Sequence, residues 1–195
     1  MCWSLDKVGP ICRTVEDCAL VLAAINGADE TDASSIQAPF NFDAAKPLQG
    51  VRLGYCPKLF DNENANDIDR EALDAAKHIG VELVEFDLPD WPYDSLLSIL
   101  LCEAAAAFEE LTRTNKDDSL KWQDADAWPN TFRKAWFIPG IEVVQATRFR
   151  RQCMQMMAER FEKIDAMIAP SFAGSLCLIT NNTCLLYTSP SPRDS

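Results

Sequence analysis

One histidine, seven glycines, and eighteen basic residues against thirty acidic ones mark what this 195-residue chain has little of. Each scarcity excludes a class of chemistry. A Ser-His-Asp or Cys-His mechanism needs an imidazole beside the nucleophile. The only candidate, His78, falls near the end of an amphipathic helical segment, where its charge suits a helix C-terminus. No glycines form GxGxxG, so there is no phosphate-cradling loop. No histidine pair, cysteine pair or aspartate triplet has metal-ligand spacing. No motif calls for a cofactor. The shortage of lysine and arginine leaves a net charge of −12 and no basic run, which argues against nucleic acid or an anionic membrane as a partner. The greasiest stretch, 96–108, is interrupted by Glu103 and is too short to span a bilayer.

What is present is ordinary for a soluble α/β protein: 48% apolar and 25% charged residues. The eight cysteines are scattered without a CxxC pair, and several fall on apolar helical faces, where a free thiol acts as a small hydrophobe. The opening Met1-Cys2-Trp3-Ser4-Leu5-Asp6 meets a charge at once, unlike a secretory signal. Reduced thiols and a cytoplasmic setting are therefore expected.

The pattern predicts a helix from Val15, with Thr14 and Asp17 as a capping box and Val15, Cys18, Ala19, Leu22 and Ile25 as its apolar stripe, ended by Gly27. Residues 29–46 read as a surface loop. A strand at 51–55, a helix at 67–79 capped by Asp67, and a strand at 81–86 follow as a βαβ unit. A helical stretch is expected at 93–111. Residues 116–139 read as irregular, with Trp122, Trp128 and Trp136 as packing anchors. The strongest helical periodicity, 141–164, leads into a buried strand at 166–169 and a loop opened by Pro170. Adjacent carboxylates such as Glu109-Glu110 and Asp117-Asp118 do not face each other on a helix and read as solvated charges rather than an acid–base couple.

From Cys184 the chain follows neither helix nor strand logic. Residues 184–194, CLLYTSPSPRD, read as one frame of a transposon-type sequencing adapter, so 184–195 is expected to be adapter translation and disordered.

The opening block, Trp3-Ser4-Leu5-Asp6-Lys7-Val8-Gly9-Pro10-Ile11-Cys12-Arg13-Thr14-Val15-Glu16-Asp17, resembles the amidase-signature family, in which S-L-D-x-x-G-P-x-x-R-T-V-x-D lies just after a serine-rich signature. It is most similar to the A subunits of glutamyl- or aspartyl-tRNA amidotransferases and to free-standing amidases. The likeness continues through the Gly50 and Gly80 strands, the long helix, Asp165-Ala166-Met167-Ile168-Ala169-Pro170-Ser171 and Thr180-Asn181-Asn182-Thr183.

The resemblance implies an α/β/α fold with a mixed central sheet covered by helices. It implies hydrolysis of a carboxamide to a carboxylate and ammonia by a serine nucleophile, a second serine in a cis peptide and a lysine base. These three belong to motifs upstream of the opening block. Ser4 and Lys7 match the segment after the signature, so no catalytic residue is carried over and the chain is expected to be inactive alone. Residues 1–183 are then the C-terminal part of an amidase domain, truncated at both ends. The resemblance places Ser171, Thr180 and Asn181 near the substrate, and the strand-end position of this stretch agrees. Asp6 and Arg13 orient the connection out of the catalytic region, and Asp17 is structural. The partners implied are a small-molecule amide and either a second copy or amidotransferase subunits. The competing reading is a non-catalytic α/β binding or scaffold module.

Overall fold

The computed structural model describes residues 4, 8–32, 35–61 and 65–170. They form two compact units, one from Ser4 to Pro47 and the other from Leu48 onward. The adapter-like tail, 184–195, lies outside the described residues.

The first unit is built on helix α1, Val15–Ile25. Thr14 has extended backbone, and its hydroxyl accepts the Asp17 N–H at 3.1 Å, satisfying one of the unpaired donors of the first turn. Glu16 and Asp17 add negative charge where the helix dipole favours it. Beyond the helix the chain is irregular, as expected, and is tied by local bonds. Asn26 Nδ2 donates to the Ala38 carbonyl at 2.7 Å, and the Asp29 carboxylate accepts both the amide and the hydroxyl of Thr31. The apolar stripe differs from expectation. Ala19 is buried, but Val15 is 76% exposed and Ile25 is 52% exposed. From Ala19 to Ile25 every residue is apolar, the composition of a helix covered on several sides.

The second unit holds a three-stranded parallel sheet. Strand β1, Arg52–Tyr55, lies between β2, Glu82–Glu85, and β3, Ala166–Ile168. Gly54 of β1 is in register with Val84 and with Met167. Helices α2, Pro57–Asp61, and α3, Asp67–His78, make the crossover from β1 to β2. Pro57 begins α2, because a proline at a first helical position loses no hydrogen bond. The cap of α3 is Asn66 rather than Asp67. Asn66 and Asp69 bond reciprocally at 2.9 and 3.0 Å, completing a capping box one residue earlier than expected.

The expected 93–111 helix is broken. A 3-10 turn at Tyr93–Leu96 leads into α4, Leu97–Ala107, and Phe108 (φ −106°, ψ 22°) separates it from α5, Glu109–Arg113. The stretch expected to be irregular contains α6, Trp128–Ala135. Its low-propensity Pro129, Asn130 and Thr131 hide the helix from sequence periodicity, while Pro129, Phe132 and Ala135 are buried. Ala104 of α4 and Phe132 of α6 form a core, with Leu100 and Leu111 against it and Phe108 stacked on Phe132 at 4.9 Å. Trp128 packs on this core, its ring centre 5.6 Å from that of Phe132. Trp128 and Trp136 stay partly exposed, and the Arg113 guanidinium lies 4.6 Å from the centre of the Trp136 ring. Helix α7, Gly140–Phe161, is about 33 Å long at 1.5 Å per residue and returns the chain to β3.

The Asp117-Asp118 pair is not uniformly solvated. Asp117 is 1% exposed and lies 2.7 Å from Arg133 Nη2, whereas Asp118 remains exposed.

Candidate functional site at the carboxyl edge of the sheet

The two ends of the parallel sheet are chemically different. At the amino end, Asp165 fastens β3 to β1. Its carboxylate accepts the Arg52 backbone N–H at 2.9 Å and both arms of the Arg52 side chain at 3.1 and 2.8 Å, while its own N–H donates to the Arg52 carbonyl at 2.8 Å. The Arg52 side-chain hydrogen bonds, then the Arg52 amide, hold the Asp165 carboxyl at about 2. A carboxylate depressed on folding contributes stability above its unfolded value of 3.8 and loses it as pH falls through about 2. Asp165→Asn is therefore expected to lower the urea midpoint at pH 6, and its deficit to shrink between pH 4 and 2. A deficit unchanged at pH 2 would contradict the clamp.

The carboxyl end is where parallel α/β sheets bind ligands. Here Tyr55, the last residue of β1, donates its hydroxyl to Glu85 Oε1 at 2.6 Å, and Glu85 is the last residue of β2. The hydrogen bond it donates to Glu85 is the main cause raising the Tyr55 phenol above its ordinary value, with burial and nearby charge adding to it. Cys56, the next residue, is fully buried. Tyr93 lies within electrostatic reach of Cys56 and Cys153. Burial first, then these neighbours, raise its phenol as well. Its hydroxyl donates to the Pro89 carbonyl at 3.1 Å.

Tyr93, Trp91 and Phe149 form a three-ring cluster between the segment after β2 and the middle of α7. Trp91 meets Phe149 edge-on at 5.7 Å, and Tyr93 lies 6.1 Å from Phe149. Such a wall can seat an apolar group, while the Tyr55 and Tyr93 hydroxyl protons are already committed to Glu85 and to the Pro89 carbonyl. Its hydrogen bonds run from donor to carboxylate or carbonyl and do not pair a nucleophile with a base.

Sequence reasoning gave none of these residues a functional role. Tyr55 and Glu85 were identifiable as neighbouring strand ends, but pairing them requires the parallel register. Ser171, Thr180 and Asn181 lie outside the described residues, one to eleven positions past Pro170, as do Asp6 and Lys7. Arg13 is exposed in the bend before α1, and Asp17 is the donor of the α1 cap. His78 sits in the last turn of α3, with Nδ1 2.7 Å from the Asp74 carbonyl.

Residues 1–189 match the family model described as Amidase. The chain belongs to the amidase family. An amidase of Pseudomonas putida is 31% identical over 177 residues, which cover 87% of this chain and 37% of that protein. The A subunit of the glutamyl-tRNA(Gln) amidotransferase of Geobacter sulfurreducens is 30% identical over 196 residues, 86% of this chain and 40% of that one. A solved bacterial aryl acylamidase of the amidase signature enzymes matches with a TM-score of 0.65 and 18% identity, over 86% of this chain and 38% of that one. The amidase-signature α/β fold is thus shown, and the described strands form a small parallel sheet within it. The chain spans about two fifths of the length of the relatives it matches. Among the described residues, no helix is long and apolar enough to cross a membrane.

Proposed function

We propose that this chain is the scaffold and pocket-wall portion of an amide hydrolase, one that cleaves a carboxamide C–N bond to a carboxylate and ammonia. The serine nucleophile, second serine and lysine base come from a portion that precedes the opening block. The observation that carries this is the partial overlap. The likeness to the Pseudomonas amidase fills 87% of this chain but 37% of that protein, and the chain opens on a segment of the kind that follows the serine-rich signature. The exposed apolar residues Leu20, Val21 and Ile25 of α1 support the same reading, because they need cover.

In the completed enzyme the attacking serine meets the amide carbon, and the lysine takes the serine proton and returns one to the leaving nitrogen. This chain's part is to shape the cavity. Trp91, Tyr93 and Phe149 would wall the substrate's apolar side, and Ser171, Thr180 and Asn181 would approach its polar end. Asp6 and Arg13 would orient the connection from the catalytic segment. The working compartment is the cytoplasm, and 184–195 is adapter translation. Amide transfer within an amidotransferase assembly is the second reading, favoured by the likeness to the Geobacter protein; it would require partner subunits and glutamine.

A fusion tests this. The portion of the Pseudomonas amidase that precedes the matched region is joined to this chain, and ammonia is measured over a panel of carboxamides, glutamine included. The fusion is expected to release ammonia, and to lose it when the donor's serine nucleophile is replaced by alanine. A fusion that unfolds cooperatively yet hydrolyses no amide would sink the proposal.

A further inference from the structure

Helix α7 packs one face on α4 and on the 3-10 turn at Tyr93–Leu96, and turns the other to solvent. Ala146 and Met156 are buried and Phe149 and Cys153 half-buried, whereas Arg148, Arg151, Gln152, Gln155, Glu159 and Glu162 are exposed. At about 3.6 residues per turn these six exposed residues lie in one band along the helix. Glu162 caps α7 and keeps helical backbone (φ −64°, ψ −26°), so the band continues through the cap. Charge along the band is segregated. Both arginines come first and both glutamates last, each glutamate eleven residues, or about 16 Å, beyond an arginine. The residues three and four positions from either arginine include no carboxylate, so neither can pair within the helix. Among the described residues, none of the four charges is in an ion pair. Carboxylates outnumber cations on this chain, yet these two arginines have none.

We propose that this band is a self-association surface, and that its occupant is the same band of a second copy laid antiparallel. With the two-fold axis beside Gln155, Arg148 comes within a turn of Glu159 of the second copy on one side of the seam. Arg151 comes within a turn of Glu162 of the second copy on the other side. Symmetry repeats both, which makes four ion pairs around a Gln155–Gln155 centre. A parallel pairing would set arginine against arginine and glutamate against glutamate, so charge selects the antiparallel arrangement. Exposed ion pairs contribute little singly and are screened by salt. The dimer is therefore weak, forms at high protein concentration and dissociates as salt rises.

The test is sedimentation of the full chain at up to about 200 μM, in about 20 mM and about 500 mM sodium chloride. A monomer–dimer equilibrium is expected in low salt, with a dissociation constant at least about tenfold higher in high salt. Arg148→Glu alone and Glu159→Arg alone each place two like-charge pairs in the seam. Each variant is expected to keep a cooperative urea transition and to remain monomeric. Mixed one to one, the two variants restore opposite charges at both positions. A heterodimer should then form with at least about tenfold higher affinity than either variant has for itself. A wild-type chain that is monomeric at every concentration would overturn the proposal, as would a dimer indifferent to both salt and charge reversal. Association through the exposed apolar residues of α1 would give that second result, because salt screens charge but not apolar contact. A mixture that associates no better than its components would also overturn it. No arm depends on amide hydrolysis, so failure here is distinct from failure of the amidase reading.

Discussion

Replacing Gly54 by valine is expected to destabilise the second unit by about 3 kcal/mol, the upper end of ordinary overpacking. Gly54 lies in the central strand, where neither neighbour can shift without breaking a ladder. A Cβ at this position would fall 2.5 and 2.9 Å from two side-chain carbons of Ile164 and 3.1 Å from Phe86 Cε1. Ile164 is 3% exposed, so a shift of its side chain must be taken up by the packing around it. The cause is therefore steric, and a double substitution isolates it. Gly54→Ala should cost about 2 kcal/mol and Ile164→Ala about 3 kcal/mol through its cavity. Combined, they should cost at least about 1 kcal/mol less than the sum, because the new methyl fills part of the space vacated. Urea denaturation of the four proteins reads this directly. Strict additivity would show that the two residues do not share that space.

Arg133→Ala is expected to be comparably severe, at about 3 kcal/mol. Its Nη2 atom serves two carboxylates, Asp117 at 2.7 Å and Asp118 at 2.6 Å, while Nη1 donates to Asn130 Oδ1 at 3.1 Å. The donated hydrogen bond goes to Asp118. The buried Asp117 oxygens receive the guanidinium charge without an aligned hydrogen bond. Removing the arginine leaves that buried carboxylate without a counter-charge, the arrangement the protein interior tolerates least. Asp118→Asn disturbs only an exposed partner and should cost under about 1 kcal/mol. Arg133→Lys should fall between, since an ammonium keeps the charge but not the fork. Equal urea midpoints for Arg133→Ala and Asp118→Asn would contradict this account of Asp117.

The same residue shows where sequence reasoning stopped. Two adjacent aspartates carry no sign of which is buried, because the arginine that pairs with buried Asp117 comes from α6, and α6 was itself hidden behind Pro129, Asn130 and Thr131. Elements with strong local signals were legible: α1 from Thr14 and Asp17, α3 from its capping residues to within one position, and α7 from its apolar spacing. The strands were legible from Gly50, Gly80 and the apolar run at 166–169. The resemblance implied a mixed sheet, whereas the described strands all pair in parallel. The site was not legible to the same degree. Tyr55 meets Glu85 across thirty residues, and Phe149 meets Trp91 across fifty-eight. Those meetings depend on strand register and on where α7 crosses, which no local pattern encodes. The family, in contrast, was legible from one segment, because Trp3-to-Asp17 fixes residue types at many positions at once.

The resemblance that began at that segment now rests on a family match over residues 1–189 and on a shared α/β fold. The described part of that fold is a parallel sheet with an aromatic cluster of Trp91, Tyr93 and Phe149 packed beside it. The central claim is that this cluster does no hydrolysis without the serine and lysine that precede it. The most direct measurement is ammonia release by the purified chain alone, against glutamine, aliphatic amides and aryl amides. The account predicts none above the protein-free blank at any concentration tested. Ammonia produced in proportion to chain concentration, and lost when the chain is unfolded, would contradict it.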